Sequence, residues 1–173
     1  MVHREGNFQI NWDHPNDPFR CAAATRIGGT WYAASFGNLQ PDTWYHLVAT
    51  YDGESLKAFT NGVLVTDKSG LSGSPDAEQA SLILGRHAYD RDPVNHFAGM
   101  IDDVRIYNYP LAKAEVAALY SGASPLPVPQ TDVLATSEPI PKASNKWIPI
   151  SVMMAIVIVV VVLVAYNKKK TAA

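Results

Sequence analysis

Residues 1–121 read as an all-β sandwich, and three observations predict it. Short runs alternate apolar and polar residues with the two-residue period of a strand half-buried on a core. Tight-turn dipeptides punctuate those runs, at Gly28-Gly29, Asp52-Gly53 and Asn61-Gly62. Helical spacing is confined to one short stretch after Pro110. Many short strands with regular turn signals are the pattern of a β-sandwich.

Phe8, Ile10 and Trp12 alternate with Gln9 and Asn11, which predicts a half-buried strand. The run from His14 to Pro18 holds two prolines with Asn and Asp, which is turn chemistry. Arg20–Ile27 and Thr30–Phe36 predict a hairpin joined at Gly28-Gly29. Trp44–Tyr51 is apolar on both faces, as an interior strand should be. Leu56–Thr60 and Val63–Thr66 flank Asn61-Gly62, the strongest short-range hairpin signal. Asp67–Glu78 reads as a polar loop, Ser81–Gly85 as a short strand and Arg86–His96 as a second polar loop.

The stretch from Phe97 to Tyr120 predicts a strand, a turn at Tyr109-Pro110 and a short helix that Gly122 can end. Val104 and Ile106 alternate with Arg105 and Tyr107, and the same phase puts Asp102 beside Val104 on the core face. Either Asp102 is a buried carboxylate with partners, or a bulge at Asp102-Asp103 shifts the phase. In the helix, Ala112, Glu115, Val116, Leu119 and Tyr120 follow three- and four-residue steps.

Two blocks of this chain carry a family resemblance: Phe97–Tyr120, with Ile101-Asp-Asp-Val-Arg-Ile-Tyr-Asn108, and Trp44–Val65 upstream of it. Together they resemble the middle and end of a laminin-G-like, concanavalin A-like jelly-roll domain. The resemblance spans roughly Gly6 to Tyr120 and implies an antiparallel jelly-roll sandwich. It also implies several strands ahead of the block that begins near Gly6, so the domain is expected to be N-terminally incomplete. The strand at Phe97–Asn108 would then lack a neighbour, and an open apolar edge invites aggregation. One departure from the family pattern is Ala112, where relatives often carry a helix-capping Ser; the helix start should be weak.

Beyond the domain, residues 122–146 hold five prolines with Ser and Thr and little apolar periodicity, the composition of an extended stalk. Residues 147–166 carry no charge, and a helix of 20 such residues crosses a hydrocarbon core of about 30 Å. Trp147 and Tyr166 stand at its ends, where amphipathic rings favour the headgroup region. All 16 acidic residues precede this segment, whereas the consecutive Lys168, Lys169 and Lys170 follow it in residues 167–173. The positive-inside bias then predicts a single-pass cell-membrane protein with its domain outside and its C-terminus in the cytoplasm. The alternative is a tail-anchored protein with a cytosolic domain, which the lack of a signal-peptide pattern at Met1 favours.

The chemistry that remains is sparse. There is no basic patch interleaved with aromatics, which excludes the usual nucleic-acid footprint. Cys21 is the single cysteine, so it reads as a small strand residue. The five histidines are scattered, and His46, inside an apolar strand, reads as a hydrogen-bonded core residue. The resemblance implies that a catalytic relative would show Glu-x-Asp-x-x-Glu on one strand, and this chain has no such run. The chain is therefore expected not to be an enzyme. Members of the superfamily can carry a calcium site on the sandwich rim, and Ca²⁺ takes six to eight oxygen ligands. Its candidate ligands here are Asp90, Asp92, Asp102 and Asp103. For a glycan or protein ligand the candidate platforms are Trp31, Tyr32 and Tyr89, aromatics in or near loops. The functional expectation is a surface-displayed binding or adhesion module. An accessory domain of a larger surface glycosidase or protease, and an envelope spacer, are the alternatives.

Overall fold

A computed structural model describes residues 1–12, 20–86 and 96–123, together with the backbone of Val159–Tyr166. The described strands are β1 (Val2–Arg4), β2 (Phe8–Trp12), β3 (Arg20–Ile27), β4 (Thr30–Asn38), β5 (Trp44–Tyr51), β6 (Leu56–Thr60), β7 (Val63–Lys68), β8 (Leu82–Leu84), β9 (Gly99–Tyr107) and β10 (Val159–Tyr166). One helix, α1 (Lys113–Tyr120), follows β9. The strands form two five-stranded sheets, ordered β4-β3-β2-β1-β8 and β7-β6-β5-β10-β9. Neighbours pair antiparallel throughout.

The predicted hairpins form where the glycines stand. Gly28 and Gly29 both take positive φ (54° and 82°) between β3 and β4, and Asn61 and Gly62 do the same (51° and 78°) between β6 and β7. Two successive left-handed residues make the turn whose twist matches the flanking strands. At Gly62 a side chain would also meet Tyr120, since a Cβ there would lie 3.1 Å from that ring.

Alternation assigns the faces. Phe8 and Ile10 of β2, Cys21, Ala23 and Ile27 of β3, and Ala34 and Phe36 of β4 meet Leu47, Ala49, Tyr51, Leu56 and Ala58 of the second sheet. The sheets are also tied along β4: Thr60 Oγ1 donates to Phe36 O (2.8 Å) and Thr66 Oγ1 to Ser35 O (2.7 Å). On its other face the second sheet carries Val48 and Phe59, which pack with Leu111 and Val116 of the helical segment. That second layer is why β5 is apolar on both faces.

The helix ends as its sequence predicts. Gly122 has φ 76°, its N–H donates to Leu119 O (3.2 Å), and Ala123 N–H donates to Ala118 O (3.0 Å), a Schellman pair. At the start, Ala112 supplies no side-chain cap, and only Glu115 reaches back, accepting from Ala112 N–H at 2.6 Å. Ala112 already has the extended backbone of an N-cap (φ −66°, ψ 154°). Ala112→Ser should therefore raise the unfolding free energy by about 1 kcal/mol. An unchanged urea midpoint would show that the first turn is not limiting.

In β9 the bulge is the alternative that holds. Val161 faces Arg105 and Leu163 faces Asp102, so Asp103 and Val104 together oppose one residue of β10. Asp103 takes φ 50° at that point. The slip puts both Ile101 and Val104 against the core and leaves Asp102 exposed. Ile106, predicted to face the core, is 48 % exposed. Among the described strands, β3 and β4 of the first sheet pack on β6 and β7, at the opposite edge of the second sheet from β9.

The largest departure from expectation lies in residues 147–166. Val159–Tyr166, predicted as the last eight residues of a membrane-spanning helix, forms β10 between β5 and β9. Five of its eight residues are valines, whose branched Cβ favours strand over helix. Among the described residues no helix is long and apolar enough to cross a membrane. The stalk at residues 124–146 and the first part of the uncharged run lie outside the described residues.

Candidate functional site

The outer face of the first sheet gathers the features a ligand would need. In β3 the inward residues are Cys21, Ala23, Thr25 and Ile27, so Ala22, Ala24 and Arg26 fall on the opposite side. In register, Arg26 pairs with Trp31, Ala24 with Ala33 and Ala22 with Ser35. On the other flank Ala24 pairs with Gln9 and Ala22 with Asn11. Ala22 and Ala24 of β3 and Ala33 of β4 thus form a low floor across two adjacent strands, with Ala24 itself buried, bordered by Gln9, Asn11, Ser35 and Trp31. Trp31 is 38 % exposed, so one part of its indole is presented to solvent.

A polar clamp fixes the Trp31 end of this face. The Asp76 carboxylate accepts from Gly28 N–H (2.8 Å) and Gly29 N–H (2.9 Å) in the β3–β4 turn. Arg26 lies beside Asp76 (Nε to Oδ2, 3.5 Å) and donates to Glu78. Asp76 N–H donates to Arg26 O (2.8 Å), and Asn7 Nδ2 donates to Asp76 O. The segment predicted as a polar loop is docked on the sheet rim through Asp76 and Glu78. Nothing in its composition signals this, because Asp76 and Glu78 meet their partners only through long-range packing.

A family model described as the concanavalin A-like lectin/glucanases superfamily matches residues 1–117. The chain belongs to that superfamily. Searches of curated proteins and of solved structures return no match. Within the superfamily sandwich, the sequence-derived candidates separate as follows. Tyr32 packs against the core, on the opposite side of β4 from Trp31, because adjacent strand residues face opposite ways. It is therefore not presented beside Trp31. Tyr89, Asp90 and Asp92 lie outside the described residues.

Asp102 and Asp103 are both exposed and both locally engaged. Asp102 Oδ1 accepts from Asp103 N–H (2.8 Å). Asp103 takes Arg105 in a two-point pair, Nε to Oδ1 and Nη2 to Oδ2, each 2.8 Å. This pair braces the bulge, and the Asp103 carboxylate in turn holds the guanidinium pKa of Arg105 up. No group of three His, Cys, Asp or Glu side chains suited to a metal ion occurs among the described residues. Aromatics that sequence reasoning passed over are also exposed: Trp44, at 47 %, opens β5. Its position directly after the Pro41-Asp42-Thr43 turn was the available signal.

Two buried groups are tuned by the superfamily core. Burial pushes the Cys21 thiol far above its ordinary range, so it stays protonated and unreactive. His46 is 5 % exposed, and its Nδ1 has no hydrogen-bond partner among the described residues. Burial pushes its pKa below 6.5; Asp103 opposes this and Arg105 reinforces it. The ring also lies 5.8 Å from that of Tyr120. A depressed histidine binds its proton more weakly folded than unfolded. Its contribution is thus complete above pH 6.5 and is lost as pH falls through the lower, folded value. The stability advantage of the wild type over His46→Phe should shrink from pH 7 to pH 5. Ion pairs elsewhere, such as His3 with Glu5 at 3.0 Å, are common to both proteins and cancel. A pH-independent difference would refute the assignment.

Proposed function

We propose that this chain is a membrane-anchored, non-catalytic binding module that recognises glycans on the outer face of its first sheet. One observation carries the reading: an exposed Trp31 held on a clamped hairpin beside an alanine floor rimmed by Gln9, Asn11 and Ser35. Sugar rings offer apolar C–H faces and hydroxyl edges, so they are bound by one aromatic platform with nearby amides and hydroxyls. Because the clamp orders the hairpin before a ligand arrives, less entropy is lost on binding.

The non-catalytic part rests on the placement of carboxylates. Among the described strands only β7 and β9 carry any, namely Asp67, Asp102 and Asp103. Glycoside hydrolysis uses two carboxyls facing one bond, about 5–10 Å apart. Asp102 and Asp103 are sequence neighbours, and Asp103 is occupied by Arg105. Display outside the cell, with the C-terminus in the cytoplasm, rests on the uncharged run 147–166 followed by Lys168–Lys170.

A glycan array probed with the full chain in detergent tests the binding. A hit whose affinity falls at least about fivefold in Trp31→Ala, an expected loss of 1 kcal/mol or more, supports the reading. The fold should survive that change, since Trp31 is not part of the core. An empty array, or a hit that Trp31→Ala leaves unaltered, refutes it. Alkaline carbonate extraction of expressing cells tests the anchor separately.

A further inference from the structure

β5 and β9 do not pair with each other; β10 lies between them. It meets β5 along Val160↔Ala49 to Ala165↔Trp44, and β9 from Val159↔Tyr107 to Tyr166↔Gly99. Withdrawing β10 would leave two facing strand edges with unpaired backbone groups, which water or another strand must satisfy. The second sheet is therefore continuous only while these eight residues are in it.

The same residues are the last eight of the uncharged run 147–166. With Val159–Tyr166 taken into the sheet, only residues 147–158 remain, and as a helix they reach about 18 Å. A hydrocarbon core of about 30 Å needs about 20 residues. Sheet and bilayer thus cannot both hold the segment. Its composition suits either: consecutive valines favour an extended backbone in a sheet, and an uncharged apolar run suits lipid.

We propose that Val159–Tyr166 is a removable strand, stored between β5 and β9 away from lipid and released from that slot when it enters a bilayer. The domain is then a holder for its own anchor. A bilayer shifts the equilibrium because only the released segment gains from apolar lipid. Release opens the slot along Trp44–Ala49 and Gly99–Tyr107. This inference rests on the membrane reading above.

Paired cysteines in a Cys21→Ala background of the full chain test it. Val48→Cys with Val161→Cys, and Ala49→Cys with Val160→Cys, sit on adjacent rungs of the β5–β10 ladder. Rungs of an antiparallel ladder alternate between close and wide, so one of the two pairs has the close geometry that a disulfide prefers. With copper phenanthroline as oxidant and no lipid, that pair should cross-link, while Val48→Cys with Val160→Cys, on opposite faces, should not. Mixed phosphatidylcholine and phosphatidylglycerol vesicles added before oxidation should lower the yield at least about fivefold. The cross-linked protein should float with vesicles at least about fivefold less than its reduced form. No cross-link without lipid, or equal yields with and without vesicles, overturns the removable strand while flotation of the reduced protein upholds the anchor. A reduced protein that never floats overturns both.

Discussion

Replacing Phe59 with alanine is expected to lower the unfolding free energy by about 3–5 kcal/mol, a large share of the 5–15 kcal/mol typical of a domain. Phe59 is 2 % exposed in β6 and packs with Val48, Leu111 and Val116 beneath the helix. Eight residues are too few for α1 to persist by itself, and Ala112 offers it no side-chain cap. Its order therefore comes from this cluster, and deleting the ring removes the surface on which it lies. Urea unfolding should show the lower midpoint, and amide exchange in Val116–Tyr120 should quicken more than in β3. A loss below about 1 kcal/mol would mean that the cluster contributes little beyond local contact.

The second large effect is expected at Asp76. Asp76→Ala removes the acceptor for Gly28 and Gly29 N–H and the partner of Arg26. Hydrogen bonds to a charged acceptor are among the stronger ones, but the site is partly open, so about 1–3 kcal/mol is the expected loss. Asp76→Asn keeps one acceptor oxygen and should lose roughly half as much. Because the clamp orders the hairpin that bears Trp31, Asp76→Ala should also weaken the proposed glycan binding without touching the ligand. If its melting temperature matched the wild type, the docked loop would be incidental to the sheet.

Much of the architecture was legible because it is written in short-range signals. Asn61-Gly62 and Gly28-Gly29 specify tight turns through the backbone geometry they alone tolerate easily. Phe8 and Ile10 against Gln9 and Asn11 specify two faces. The candidate site was only half legible. Trp31 and Tyr32 are neighbours of similar chemistry, and which of them faces solvent depends on the partner sheet. Trp44 lay hidden in a run that reads as interior, and Asp76 in a run that reads as loop. At Asp102-Asp103 the period allowed either a buried carboxylate or a bulge, and pairing with β10 selected the bulge.

The sequence by itself determined that the domain is all-β, where its hairpins turn and where α1 stops. Each follows from residues near one another in the chain, through turn geometry, side-chain period or simple apolarity. Tertiary structure alone decided that Asp76 clamps a hairpin 47 positions away, that α1 covers Val48 and Phe59, and that Val159–Tyr166 fills the gap between β5 and β9. Those outcomes depend on which distant surfaces are left unpaired once the local elements exist, and no local signal encodes that.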